Sequence, residues 1–133
     1  MFLSNLKSRQ KELFLDLAIK AAEVNSEMVF AEKNMLKAFA LELNITPRYS
    51  TEKKTGDIID ELKHISSVVE SKIILFEILG ILVSDAEFDN REKEFISNIA
   101  AAFNMEKKII DDMMNLIKEY ALLYNRIYHF VIG

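Results

Sequence analysis

An apolar spacing that occurs twice in the chain, sixty residues apart, constrains the fold most strongly. Between residues 14 and 46, apolar side chains recur every three or four positions, and the same spacing returns between residues 74 and 106. The matched inward positions are Leu15, Ala18, Ile19 and Ala22 against Leu75, Ile78, Leu79 and Leu82, then Met35, Leu36, Phe39, Ala40 and Leu43 against Phe95, Ile96, Ile99, Ala100 and Phe103. The spacing is that of one face of a helix, so it predicts two helix-turn-helix units related by an internal repeat, each covering the apolar face of the other.

The rest of the chain also favours helices. Its 133 residues include one Pro and three Gly, and half of them are apolar, which excludes a disordered chain. We therefore expect an all-α fold, with residues 1–133 forming a single compact domain of about seven helices. The first predicted helix covers about 4–24, and the second passes through 35–43 and ends near Asn44, before a main loop at about 46–56. Asp57 is predicted to cap the third helix, which has Ile58, Leu62, Ile65 and Val69 inward. The remaining four helices are predicted at 71–83, 90–103, 106–117 and 119–132.

Charge and cysteine content exclude several classes of protein. Seventeen basic and 21 acidic residues leave a net charge of −4, which argues against a nucleic-acid partner. Since the chain has no Cys, it holds no disulfide, thiolate metal site or catalytic thiol, and this composition fits the cytoplasm. Asp16 and Lys20 interrupt the apolar stretch near the amino terminus, so no signal peptide is expected. The apolar run 73–83 is far shorter than the roughly 20 residues of a membrane span.

One acidic segment, SDAEFDNREKEF at residues 84–95, joins the two predicted helices of the second unit. Asp89 and Glu92 have the spacing of a capping box, in which each side chain accepts a hydrogen bond from the other residue's backbone amide. Negative charge at a helix amino terminus also interacts favourably with the helix dipole. A cap explains these two carboxylates, but it does not explain Asp85 and Glu87.

A cation site is the alternative interpretation of the segment. Acidic residues at 85, 87 and 89 resemble the start of a calcium loop, but Asn90 and Ile96 stand where such a loop requires Gly and Glu. An EF-hand is therefore excluded. A looser site for Ca²⁺ or Mg²⁺ stays open, since hard cations prefer oxygen ligands, and no other cofactor is indicated. The four candidate ligands are Asp85, Glu87, Asp89 and Glu92.

The same segment resembles the TerB-like family, that of tellurite-resistance protein B. The resemblance lies in an apolar helix followed by Ser84-Asp85-Ala86, then a cap at Asp89 and Glu92 in the next helix. Ser84-Asp85-Ala86 stands where the family usually has Ala-Asp-Gly. In the first unit, only Glu27 and Glu32 match, and Asn25 stands in place of the acidic residue. As a pattern of helices, the resemblance covers most of the chain.

The resemblance implies a binding or scaffold module rather than an enzyme. TerB-like domains are all-α with an internal helical symmetry, and the family is linked to tellurite resistance, stress responses and membrane-associated chaperone proteins. An acidic, metal-related surface has been proposed for the family. We therefore expect a non-catalytic cytoplasmic module, with cation binding or sensing at residues 85–92 as the alternative.

Other titratable residues give weaker indications of chemistry. Glu61 and His64 form one Glu-x-x-His pair, whereas a di-iron bundle needs two such pairs and two more Glu. Asp16 and Glu77 lie in apolar stretches, where each is expected at a helix edge or paired with a cation. A carboxylate enzyme built on Glu77 is a third hypothesis, but no nucleophile, phosphate loop or cofactor motif accompanies it.

The carboxyl-terminal helix predicted at 119–132 has an unusually wide apolar face. Tyr and Phe alternate there with Leu, Ile and Val, and Tyr is suited to a surface that is only partly dry. Such a helix either inserts between others or contacts a second subunit. The expected partner is accordingly another protein or a further copy of the chain, bound through this helix.

Overall fold

The computed structural model describes residues 1–24, 30–83 and 89–133, the side chains of residues 30 and 31 excepted. The regular secondary structure of these ranges is helical, and they contain no strand. A short 3₁₀ turn at Leu3–Asn5 precedes six α-helices. They are α1 (Ser8–Glu23), α2 (Phe30–Leu43), α3 (Thr55–Ile65), α4 (Val68–Val83), α5 (Asn90–Ala102) and α6 (Lys107–Ile132).

Helices α1 and α4 form the centre of a single compact domain. Helix α1 packs against α2, α3 and α4, while α4 also contacts α5, α6 and the 3₁₀ turn. The sequence of α4 is apolar nearly all round, and Leu75, Ile78 and Leu79 are completely buried. A helix without a polar face is stable in water only when others surround it, which explains its central place.

The two helix pairs have bounds that match at a spacing of sixty residues. Helices α1 and α4 each have 16 residues and begin at Ser8 and Val68. Helices α2 and α5 begin at Phe30 and Asn90. The inward positions match too, since the structure buries Leu36, Ala40 and Leu43 in the first pair and Ile96, Ile99, Ala100 and Phe103 in the second.

The second helix of each pair ends in the same way. Asn44 and Asn104 have φ angles of 58° and 56°, in the left-handed region that Asn tolerates better than most side chains. The next amide donates back into the last turn, from Ile45 to the carbonyl of Ala40 at 3.0 Å and from Met105 to that of Ala100 at 2.8 Å. These bonds satisfy carbonyls that a helix end would otherwise leave unpaired.

The first predicted helix, about 4–24, is wrong at its amino-terminal end. The chain leaves helical geometry at Leu6 and Lys7, and α1 begins only at Ser8. The side-chain oxygen of Gln10 accepts a hydrogen bond from the Lys7 amide at 2.7 Å. This bond satisfies an amide at the start of α1, so the helix begins after Lys7.

The boundary between α3 and α4 also differs from the prediction. Helix α4 begins at Val68 rather than 71, because Ser67 and Glu70 form a capping box. Their two side chain–amide distances are 2.9 and 3.1 Å. Val69 therefore belongs to α4 and is exposed, as is Ile65 at the end of α3, so neither faces the core as predicted.

The two helices predicted at 106–117 and 119–132 are a single helix, α6, of 26 residues. No Gly or Pro lies within Lys107–Ile132, and Lys118, at the predicted joint, is a good helix former. The described part of the chain thus contains six α-helices instead of about seven. None of the helices described is both long and apolar enough for a bilayer crossing.

Candidate interaction surface

The acidic segment is described only from Asp89 onward, and Asp85 and Glu87 lie outside the described residues. Asp89 and Glu92 form the predicted capping box, with an Asp89 amide to Glu92 Oε1 distance of 3.1 Å and a Glu92 amide to Asp89 Oδ1 distance of 3.0 Å. Glu92 is only 1% exposed. Both carboxylates therefore have a structural role at the start of α5.

The described residues contain no group of three or more Asp, Glu or His side chains that could together hold a metal ion. Of the four candidate cation ligands, the two that are described already accept backbone hydrogen bonds. The cation site at 85–92 therefore remains a prediction, because half of its candidate ligands lie outside the described part.

Glu61 and His64 do not act as a pair. Glu61 is bound by the guanidinium of Arg9, with an Arg9 Nη2–Glu61 Oε1 distance of 2.8 Å, and this exposed ion pair joins α1 to α3. The Nδ1 atom of His64 lies 2.8 Å from the carbonyl oxygen of Asp60, within its own helix. Glu61 is thus held by a contact between two helices, and His64 by a contact within its own helix.

Glu77 is mostly buried and anchors the beginning of the chain against α4. Its Oε1 atom accepts a hydrogen bond from the Phe2 amide at 3.0 Å and lies 3.0 Å from the amino group of Met1. Phe2 packs edge-on against Phe76, with ring centroids 6.4 Å apart. Glu77 is therefore paired with a cation, as expected, and this cation is the amino-terminal group of Met1 rather than a Lys side chain.

Asp16 is paired with two cations, as expected for a carboxylate in an apolar stretch. Its side chain is 1% exposed and accepts hydrogen bonds from Arg48 and from Lys53, the latter at 3.0 Å. Arg48 also donates to the carbonyl and carboxylate of Glu12, at 3.1 and 3.0 Å. These bonds fasten the loop after α2 to α1.

The electrostatics at Asp16 follow from this geometry. Burial raises the pKa of Asp16, but the hydrogen bonds from Arg48 and Lys53 outweigh it and bring the pKa below its ordinary value of 3.8. The carboxylate is therefore charged at neutral pH and stabilises the fold. The cluster explains a buried charge, but it leaves no group free for chemistry.

Helix α6 extends beyond the domain that its first half helps to form. Met113 is buried, and Ile109, Ile110, Met114 and Ile117 pack partly against the core. Every residue from Lys118 to Gly133 is exposed. At a rise of about 1.5 Å per residue, residues 118–132 project for roughly 22 Å. We call this segment, 118–132, the α6 tail.

The α6 tail continues the inward face of α6 without a core to cover it. Nine of its large apolar side chains are about half exposed or more, and Phe130 reaches 91%. The nine are Tyr120, Leu122, Leu123, Tyr124, Ile127, Tyr128, Phe130, Val131 and Ile132. A monomer rarely exposes a contiguous apolar patch above a few hundred Å², so this surface indicates a binding site.

An apolar groove of about 890 Å³ lies where the α6 tail leaves the domain. One wall consists of Phe2, Phe76, Gly80 and Val83, and the other of α6 between residues 116 and 123. Gly80 is helical, and a Cβ placed there would meet nothing within 4 Å. A Gly inside a helix destabilises it by about 0.5–1 kcal/mol relative to Ala, yet this Gly leaves room for the close approach of another chain.

The sequence predicted the apolar face of the carboxyl-terminal helix but not the groove beside it. Of the two arrangements predicted, insertion between other helices is not found, since the tail is exposed along its whole length. The one signal of the groove in the sequence was Gly80, an isolated Gly in an otherwise apolar helix.

Comparison with protein-family models, curated proteins and solved structures found no match to this chain. The TerB-like resemblance therefore depends on residues 84–92 and on the helix pattern. By its fold and its surface, the protein is defined as a small all-helical domain that carries an exposed apolar helix.

Proposed function

We propose that this protein is a non-catalytic helical binding module that acts through protein contacts, and that its binding surface is the apolar face of the α6 tail. The observation that carries the proposal is the exposure of nine large apolar side chains on one projecting helix. Burial of such a side chain stabilises a complex by about 1.5–3 kcal/mol, so a partner that covers several of them gains substantial affinity.

The composition of the tail favours a protein partner. Its three Tyr residues combine a large apolar ring with a hydroxyl that tolerates a partly wet contact, as is typical of protein interfaces. Lys118, Glu119, Asn125 and Arg126 provide a polar back to the helix. The mostly buried carboxylates of Asp16, Glu77 and Glu92 are each engaged in contacts that hold the fold together, and this supports a non-catalytic role.

We further infer that the two helix pairs are an internal repeat. Three observations support this inference. The helix bounds recur at a spacing of sixty residues, Asn44 and Asn104 share a left-handed backbone, and the side chains that accept a hydrogen bond at the start of α1 and α4 lie sixty residues apart. Gln10 accepts from the Lys7 amide as Glu70 does from Ser67. A TerB-like role in a stress or tellurite response remains our hypothesis, based on residues 84–92.

A photoreactive amino acid incorporated in living cells tests the proposed binding surface. We expect the probe at position 127, on the apolar face, to yield covalent adducts with protein. The same probe at position 125, on the polar back of the same helix, is the matched control. Equal yields at both positions, or no adduct from either, would contradict the proposed binding surface, and the mass of the adduct identifies the partner.

A further inference from the structure

We propose that the occupant of this surface is a second copy of the chain: two α6 tails pack antiparallel, and each enters the groove beside α4 of the other copy. The inference rests on the proposed function, because it names the partner of the same surface. One chain carries both halves of the contact, a projecting apolar helix and an apolar groove at its base.

The width of the apolar face requires more than one neighbouring helix. In a seven-residue repeat, seven of the nine exposed apolar residues of the tail occupy positions a, d, e and g, whereas a two-stranded coiled coil uses only a and d. The positions are a (Ile117, Tyr124, Val131), d (Tyr120, Ile127), e (Ala121, Tyr128) and g (Leu116, Leu123, Phe130). Pairing of two tails covers the a and d positions, and the α4 wall of the partner's groove covers the flank.

The groove has the shape that a helix needs to approach closely. Gly80 lies in the wall between Phe76 and Val83, with open space where a side chain would stand. Small residues at helix contacts allow backbones to approach, and the large side chains of an incoming tail then fill the space. Phe2 packs edge-on against Phe76 and forms part of the same wall.

The position of the groove selects the antiparallel arrangement. With a and d layers matched, Tyr120 faces Tyr124 of the second copy, and Ile117 faces its Ile127. A tail that runs in the opposite direction brings its distal half to the α4 wall at the base of the other tail, and it does so twice in a symmetric dimer. In a parallel pair, each distal half would lie beside the other distal half, away from both grooves.

The exposed area is sufficient for a stable dimer. At roughly 100 Å² for each of the seven half-exposed apolar side chains at positions a, d, e and g, one tail offers on the order of 700 Å². Two tails bury about 1,400 Å², within the range of about 1,200–2,000 Å² that stable interfaces show. The net charge of −4 lies wholly outside the tail, whose only charged residues, with His129 neutral, are Lys118, Glu119 and Arg126.

Sedimentation equilibrium of the purified full chain tests the proposal, with a mass of twice 15.4 kDa expected. Ile127→Glu should raise the dissociation constant at least tenfold. Leu122→Glu, on the opposite face and about equally exposed, is the matched control and should leave it unchanged. Gly80→Leu should also dissociate the dimer, because it fills the groove, while the thermal unfolding of the monomer shows that the fold is intact.

Disulfide mapping tests the register, since the chain has no Cys of its own. A mixture of Tyr120→Cys and Tyr124→Cys chains should cross-link on oxidation, whereas neither variant should cross-link to itself. Self-cross-linking of Tyr124→Cys would overturn the antiparallel arrangement.

The outcomes distinguish this proposal from the proposed function. A monomer at every concentration tested would overturn the dimer. The binding module itself would survive that result if the probe at position 127 captured a different protein. Binding of the monomer to vesicles of anionic lipid, abolished by Ile127→Glu, would assign the tail to a membrane surface and would overturn the dimer as well. Dissociation by Leu122→Glu as readily as by Ile127→Glu would refute the proposed face.

Discussion

Breaking the Asp16–Arg48 pair should cost far more stability than breaking the Arg9–Glu61 pair. Both pairs join an Arg to a carboxylate on α1 or α3, but the carboxylate side chain of Asp16 is 1% exposed and that of Glu61 is 41% exposed. A buried carboxylate that loses its partner cannot recover hydrogen bonds from water, whereas an exposed one can. The two pairs therefore contrast a buried carboxylate with an exposed one within one chain.

The magnitude follows from the bonds that Arg48 makes. A hydrogen bond to a charged group contributes about 1.5–3 kcal/mol, and the Arg48 side chain is one-third exposed, which favours the lower part of that range. We expect a coupling energy of about 2 kcal/mol between Asp16 and Arg48. For Arg9 and Glu61 we expect a clearly smaller coupling, as is usual for exposed pairs.

Double-mutant cycles measured by urea unfolding provide the assay, with Asp16→Ala and Arg48→Ala compared with Arg9→Ala and Glu61→Ala. Equal coupling energies in the two cycles would refute the reasoning that burial decides the strength of these pairs. If only Asp16→Ala fails to unfold cooperatively, Asp16→Asn replaces it in the cycle, because this substitution preserves the volume of the side chain.

The pH dependence of the same pair has a definite sign. Because the pKa of Asp16 is lowered by folding, the unfolded chain binds the proton first as the pH falls. The contribution of Asp16 is therefore fully present above its ordinary value of 3.8, and it is lost as the pH falls through the lower folded pKa. The stability difference between the wild type and Asp16→Ala should shrink over that acid range and should not change between pH 6 and 8.

Three further predictions concern helix ends and the acidic segment. Asp89→Ala should lower the free energy of unfolding, measured with urea, by about 1 kcal/mol through loss of the cap. Asp89→Asn, which can still accept a hydrogen bond from the Glu92 amide, should leave this free energy nearly unchanged. Asn104→Gly should not destabilise the protein, whereas Asn104→Ala should cost about 1 kcal/mol, since φ at this position is 56°; equal effects would contradict this. The cation hypothesis predicts that millimolar Ca²⁺ or Mg²⁺ raises the melting temperature and that Asp85→Asn removes the rise, and an unchanged wild-type melting temperature would eliminate it.

Most of the helices could be predicted from the sequence because their signals are local. The inward faces of α1, α2, α4 and α5 follow from three- and four-residue spacings, and the cap at Asp89 follows from a pattern four residues long. The errors at α1, α3, α4 and α6 are errors of boundary. Helix α3 begins at Thr55 with Lys54 as its N-cap, so Asp57 lies within its first turn instead of capping it, and the loop predicted at 46–56 ends earlier. Ser67 and Glu70 have the Ser-x-x-Glu spacing of a capping box, and the cap that they form places Val69 in α4 rather than on the inward face of α3.

The sequence by itself determined which residues form helices and which face of each helix is apolar, because these properties depend on neighbours within one or two turns. Only the tertiary structure decided that Asp16 meets an Arg 32 residues away, and that the domain ends partway along α6 while the helix continues. Both outcomes depend on how separate helices fill space against one another, and local periodicity holds no information on that. For the same reason, the exposure of the apolar face predicted at 119–132 was decided only by the tertiary structure, which leaves it uncovered.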